Sequence, residues 1–204
     1  MKPRNSPELP KIYQLKVTLQ HTKPAIWRRI LVKGESTLDE LEMIIKTAMG
    51  WAGGHMHDFC FDGIYYGSPE SMDELGFEDE TKFTLQDLIA EPKSSFTYTY
   101  DFGDDWRHKI AVEDIMDADP ERIYPVCLKG AGACPPDDCG GVPGYYQMLE
   151  ALGDPKHPQH RSARNWMGYE FDSEEFSVIW VNKQLQEKVA ARAAGAKRPT
   201  RKRR

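Results

Sequence analysis

Apolar residues alternate along IYQLKVTL at 12–19, with Tyr13, Leu15, Val17 and Leu19 on one side and Gln14, Lys16 and Thr18 on the other. A period of two marks a half-buried β-strand. After QHTKP, the stretch AIWRRILV at 25–32 places Ile26, Arg28, Ile30 and Val32 on one side and Trp27, Arg29 and Leu31 on the other. The two stretches predict an antiparallel hairpin whose second strand is covered on both faces. The period then lengthens: Leu38, Leu41, Ile44, Ile45 and Ala48 recur at helical spacing behind Ser36 and Thr37 as caps, and Gly50 is the stop.

Residues 57–66 read as a third strand with Phe59 and Phe61 inward, and 84–90 as a short helix capped by Thr84. The clearest hairpin is SSFTYTYDFGDDWRHKIAVED. Phe96, Tyr98, Tyr100 and Phe102 alternate before GDD, and Trp106, His108, Ile110 and Val112 after it. A cysteine-bearing loop at 124–141 follows, then a helix started by Pro143 and a last one from about Ser173 through Val189. The order β-β-α-β-α-β-β-loop-α-α predicts an α+β protein: a mixed or antiparallel, β-grasp-like sheet packed by helices, with a C-terminal helical layer and a Cys/Gly/Pro-rich loop.

Composition adds a boundary at each end. At 204 residues the chain suits one domain, placed at 11–190 between a flexible N-terminus (1–10) and a disordered basic tail (191–204). The formal net charge is −5, and subtracting the six cations of KRPTRKRR (Lys197, Arg198, Arg201, Lys202, Arg203, Arg204) leaves −11 on the other 196 residues. Such an arm can neutralise phosphates on nucleic acid or meet the acidic body. Nothing resembles a secretory signal or the roughly 18 apolar residues of a membrane span, so a cytoplasmic location with reduced thiols is expected.

Three of the four cysteines, Cys127, Cys134 and Cys139, fall within thirteen residues rich in glycine and proline. Three thiolates and one imidazole would hold a structural zinc ion with no open position. Strand parity turns both His108 and His57 inward; His108, whose hairpin leads into the loop, is the first choice as fourth ligand, His57 the reserve, and His55 the third. Cys60 falls on the opposite side from His57. The intervals of six and four residues are not those of common zinc ribbons, and the alternative is thiols that simply fill space.

The carboxylates Asp101, Asp104 and Asp105 of the DFGDDW turn, with Asp137 and Asp138 of the loop, offer a second chemistry. They suit magnesium or manganese in a hydrolase or nuclease, or plain turn hydrogen bonding. The DFG triplet lacks the other elements of a kinase, and no activated serine accompanies the arginines as a serine recombinase requires. Arg28 is expected to pair with a carboxylate such as Asp101 or Glu113, while Arg29 beside Trp27 is either an exposed cation or part of a binding face.

PAIWRRILV, TLDELEMIIKTAMGW, HMHDFCF, TYTYDFGDDWRHKIAVE and YPVCLKGAGACPPDDCGGVPGY occur in this order across roughly residues 11–185. That succession resembles the plasmid pRiA-four-b ORF-three-like family. The resemblance implies a compact α+β protein from plasmids, mobile elements or prokaryotic chromosomes, with no agreed activity; some members carry a transposon-resolvase label without a mechanism. The leading expectation is a non-enzymatic binding or interaction module for a protein or nucleic-acid partner, with the metal-dependent hydrolase or nuclease second.

Overall fold

The computed structural model of the chain describes residues 9–71 and 75–196. The N-terminal eight residues and the basic segment 197–204, on which the expected phosphate-binding arm falls, lie outside them. Eight strands form one open sheet: β1 (Lys11–Leu19), β2 (Trp27–Lys33), β3 (His57–Phe61), β4 (Ile64–Gly67), β5 (Glu78–Asp79), β6 (Ser95–Tyr100), β7 (Trp106–Asp117) and β8 (Val126–Ala131). Their order across the sheet is β5-β4-β3-β6-β7-β1-β2-β8. Neighbours run antiparallel except β4 and β5, which are parallel. The expected mixed α+β architecture is therefore present.

One sheet face carries the core. Tyr13, Leu15, Val17 and Leu19 of β1 meet Val112 and Ile110 of β7, and Phe59, Tyr98, Tyr100 and Trp106 are wholly or almost wholly buried beside them. Phe59 lies 4.9 Å from Tyr98, ring to ring, and Phe61 stacks 4.3 Å from Phe96. Burying each such ring contributes about 1.5–3 kcal/mol, so this aromatic seam dominates the interior. Helix α1 (Leu38–Met49) covers it with Leu38, Leu41, Ile44, Ile45 and Ala48, the face predicted from spacing, and ends at Gly50 with φ 123°. Thr37 stands at the N-cap without a side-chain cap bond, whereas at α2 (Leu85–Leu88) Thr84 and Asp87 form a reciprocal capping box.

The remaining helices are α3 (Gly141–Gly153), α4 (His160–Met167) and α5 (Val178–Ala196). α5 packs on α1 and β8, with Arg192 paired to Asp39 and, at 3.5 Å, Glu40.

Several expectations change. Residues 57–66 are two strands, because Asp62 and Gly63 both take positive φ (49° and 85°) and turn the chain as a tight Asp-Gly hairpin. Alternation stops at Asp101, itself at φ 58°, so Phe102 is exposed rather than inward. The first part of the cysteine loop is edge strand β8, and α4 has no counterpart in the reading from periodicity. The last helix begins at Val178 rather than Ser173 and includes residues 191–196, which were expected in the tail.

Arg28 has no carboxylate partner among the described residues. Its guanidinium donates to the carbonyls of Ala48 (2.8 Å) and Met49 (3.2 Å) at the end of α1, and to those of Trp27 (2.9 Å) and Ala131 (3.0 Å). The negative end of the helix dipole replaces the expected carboxylate, and Phe176 lies 4.5 Å from the cation.

Candidate functional site

The three loop thiols carry the most specific expectation. Cys127 faces the core from β8, and its backbone N–H and C=O are both held by the Asn182 side-chain amide of α5, at 2.7 and 2.9 Å. Its thiol donates to the Lys129 carbonyl at 3.6 Å. Cys134 sits against Gly50 at the end of α1, and Cys139 lies two residues before the start of α3. Burial pushes all three thiols up, Cys139 to about 12, so they stay protonated at neutral pH and are poor nucleophiles.

His108 is fully buried, bonded through Nδ1 to the Tyr98 carbonyl at 3.1 Å, with Nε2 lacking a hydrogen-bond partner. Trp51 is packed beside it. The indole lies 5.1 Å from the imidazole, stacks 4.7 Å from Tyr100, and donates to the Pro135 carbonyl at 3.0 Å. The loop thus closes beside the aromatic hairpin through a tryptophan. No three of Cys127, Cys134, Cys139 and His108 have their ligand atoms within 4.8 Å of one another. His57 is engaged with Glu80 at 2.8 Å and faces Glu42 at 3.9 Å.

Among the described residues, one group of three ligating side chains meets that spacing: His55, Asp101 and Asp138. The DFGDD turn and the CPPDDCGG loop bring it together. Asp101 accepts from Gly103 N–H at 2.9 Å through Oδ1, and its Oδ2 lies 3.3 Å from His55 Nδ1. His55 Nε2 is 3.8 Å from Asp138 Oδ1. Beside them the Tyr100 hydroxyl donates to Asp137 at 3.1 Å. Asp104 takes a different role, accepting from Gly140 N–H at 3.2 Å just before α3, and Asp105 pairs with Arg107 at 2.8 Å. Only one of the three predicted turn aspartates therefore reaches the cluster. His55, ranked last of the histidines, was hidden because its GGH segment has no periodicity to report direction.

The other sheet face carries Gln14, Lys16, Thr18, Trp27 and Arg29, all only partly buried. Trp27, half-buried, has Lys16 Nζ 5.1 Å and Arg29 Cζ 5.3 Å from its ring. Arg29 is not a free cation, since Glu113 takes it in two bonds of 2.6 and 2.8 Å. A register shift between Gln14 and Leu15 leaves Glu113 out of the β1–β7 ladder, and Gln14 donates to it at 2.8 Å. The hydrogen bond from Arg29 holds the Glu113 carboxyl below its usual range, burial opposing. Lys109 and Lys129, exposed on the same face, are paired in register with Thr18 and Arg29. Neither has an ion-pair partner among the described residues.

The chain is 34% identical over 191 residues to the uncharacterized protein y4hQ of Sinorhizobium fredii, covering 93% of this chain and 98% of that one. The crystal structure of MM3350, a protein of unknown function from Methanosarcina mazei Go1, superposes with a TM-score of 0.75 at 34% identity, over 83% of this chain and 96% of that one. The model of the plasmid pRiA4b ORF-3-like protein family matches residues 11–179. With that span inside one sheet and its helices, the chain belongs to the plasmid pRiA4b ORF-3-like protein family.

Proposed function

We propose that the protein is a binding module for single-stranded nucleic acid, using the open sheet face around Trp27. The observation that carries this reading is the half-buried Trp27 indole with Lys16 and the Glu113-paired Arg29 against its ring, and Lys109 and Lys129 exposed on the neighbouring strands of the same face, on a chain whose net charge is −5. Cations track phosphates without regard to sequence, and an aromatic edge or face gives a base something to stack on. No helix among the described residues is long and apolar enough to cross a membrane.

Each single-strand phosphate neutralised gives a salt slope of about 0.7. Three or four such contacts weaken binding roughly 20- to 50-fold between 50 and 200 mM salt. Fluorescence anisotropy with a labelled mixed-sequence oligonucleotide measures this, and Lys109→Glu with Lys129→Glu is expected to abolish binding at the higher salt. A chain ending at residue 196 is expected to keep most of the affinity. Oligonucleotide binding that ignores the double charge reversal, or that vanishes with the last eight residues alone, overturns the reading.

A metal-dependent hydrolase or nuclease is the second reading, favoured by the spacing of His55, Asp101 and Asp138. An imidazole and two carboxylates suit a divalent cation with remaining positions for water or phosphate oxygen. Titration with Mn2+ by calorimetry is expected to give one site per chain that Asp101→Asn removes, since asparagine preserves the bond from Gly103. Absence of binding heat in the unsubstituted protein rules this reading out.

A further inference from the structure

The half of the open face formed by β3, β4, β6 and β7 has a different character from the Trp27 half. A cavity of about 510 Å³ opens there, within the usual size range of small-ligand sites. Its walls are Tyr65, Leu75, Phe77 and Phe102, which are all at least partly exposed, and Asp58 and Arg107 also line it. Tyr65 and Phe77 stack at 5.6 Å, and Phe102 meets Phe77 edge to face at 6.5 Å. The rings thus form a connected wall.

Asp58 is the anomaly. It is only 8% exposed, and its Oδ1 is buried without a hydrogen-bond partner. An unpaired buried carboxylate oxygen costs several kcal/mol of lost hydration unless something donates to it. Burial pushes this carboxyl up to about 6, against the hydrogen bond from Thr99 and the charges of His57 and Arg107, so it is still largely ionised at neutral pH. Arg107, the arginine whose charge acts on Asp58, is committed to Asp105 at 2.8 Å and is itself well exposed. The lining charges, Asp58, Asp105 and Arg107, sum to one net negative.

We infer that this cavity binds a small primary amine with an apolar or aromatic body, its ammonium donating to Asp58 and lying against the rings of Tyr65, Phe77 and Phe102. Each part of the lining selects one feature of that ligand. The Asp58 carboxylate in the cavity wall accepts but cannot donate, which favours an N–H-bearing ammonium over a quaternary one. The net negative charge and the ring faces favour a cation over a neutral donor. Leu75 and Phe77 accommodate the apolar body. The site is separate from the Trp27 patch, and a polyanion is repelled from it, so the inference does not depend on nucleic-acid binding.

The test uses benzylamine and, as its uncharged counterpart, benzyl alcohol, titrated into the isotopically labelled full chain at pH 7.5 and followed by amide chemical shifts. Benzylamine is expected to shift the amides of Phe77, Thr97, Thr99 and Phe102 saturably and to bind at least tenfold more tightly than benzyl alcohol. Asp58→Asn, checked for an unchanged fold by its amide spectrum, is expected to erase that preference. Arg107→Gln removes the competing cation and is expected to tighten benzylamine binding. Equal binding of amine and alcohol, an unaltered preference in the asparagine variant, or weaker amine binding in Arg107→Gln overturns the inference.

Discussion

Gly144→Ala is expected to destabilise the protein by about 3–5 kcal/mol, the range of severe steric lesions. A Cβ at this position overlaps the carbonyl oxygen of Cys139 and lies 2.9 Å from its carbon. The obstacle is backbone, and it cannot retreat easily. Gly140 N–H is bonded to Asp104, and Gly141, at φ 65°, packs directly on the Asp104 carbonyl, so the start of α3 is wedged against the DFGDD turn. Relief would require pulling the thiol loop off the turn. For a chain of this size about 2–4 °C of melting temperature accompanies each kcal/mol, and calorimetry should record a fall of about 10 °C. Gly153 at the other end of the same helix provides the control, because nothing lies within 4 Å of a Cβ there. Gly153→Ala should leave stability unchanged or raise it by up to about 1 kcal/mol. Equal melting of the two variants would show that α3 is not seated as described.

Acid is expected to unfold the protein through His108. Complete burial lowers this imidazole from 6.5 to about 4, opposed by its bonds to the backbone near Tyr98 and Trp106. Between these values the unfolded chain binds more protons than the folded one, so this contribution is complete above pH 6.5 and is lost as the pH falls toward 4. A displacement of that size corresponds to about 3 kcal/mol. Asp58 acts with the opposite sign: its raised carboxyl takes a proton in the folded state below about 6, and stability from this source rises as the pH falls from 6 toward 4. That offset is the smaller one, since the carboxyl is displaced less from its ordinary value than the imidazole is. Urea denaturation at pH 7 and pH 4.5 should therefore show a net loss at the lower pH. An NMR titration isolates the cause, because the His108 ring should keep its neutral shifts down to about pH 5. Titration of that ring near 6.5 would sink the argument.

How much of this was legible in the amino-acid order depends on whether a face was buried. β1, β6 and β7 each put every second residue into the core, so alternation alone placed Tyr13, Tyr98, Trp106 and His108 correctly. α1 followed from its five apolar positions for the same reason. β8 was not legible: VCLKGA is a short edge strand containing a glycine, and Gly130 is required by Phe176 packing against it, 2.7 Å from where a Cβ would stand. α4 is polar nearly all round and buries only Met167, which leaves no stripe to read.

At the candidate sites parity gave direction but not partner. It turned Arg28 inward, yet the groups that receive it are backbone carbonyls, which no side-chain pattern announces. It turned His108 inward as well, but whether three sulfurs reach it depended on the path of a loop and on Trp51 standing beside it. Asp58 was missed for a related reason. Its position on β3 is the solvent-facing one, and only the aromatic residues of β4 and the following segments convert that surface into a cavity.

The amide of Asn182 has a consequence beyond fastening α5. By occupying both the N–H and the C=O of Cys127 it stands where another strand would dock, and Gln186 does the same at the Pro125 carbonyl, 3.1 Å away. The sheet is thereby closed to lengthening at β8 without a covering strand. Protein that loses these two amides presents a bare ladder to its neighbours, and its failure in a concentrated solution would be fibrous association rather than simple unfolding.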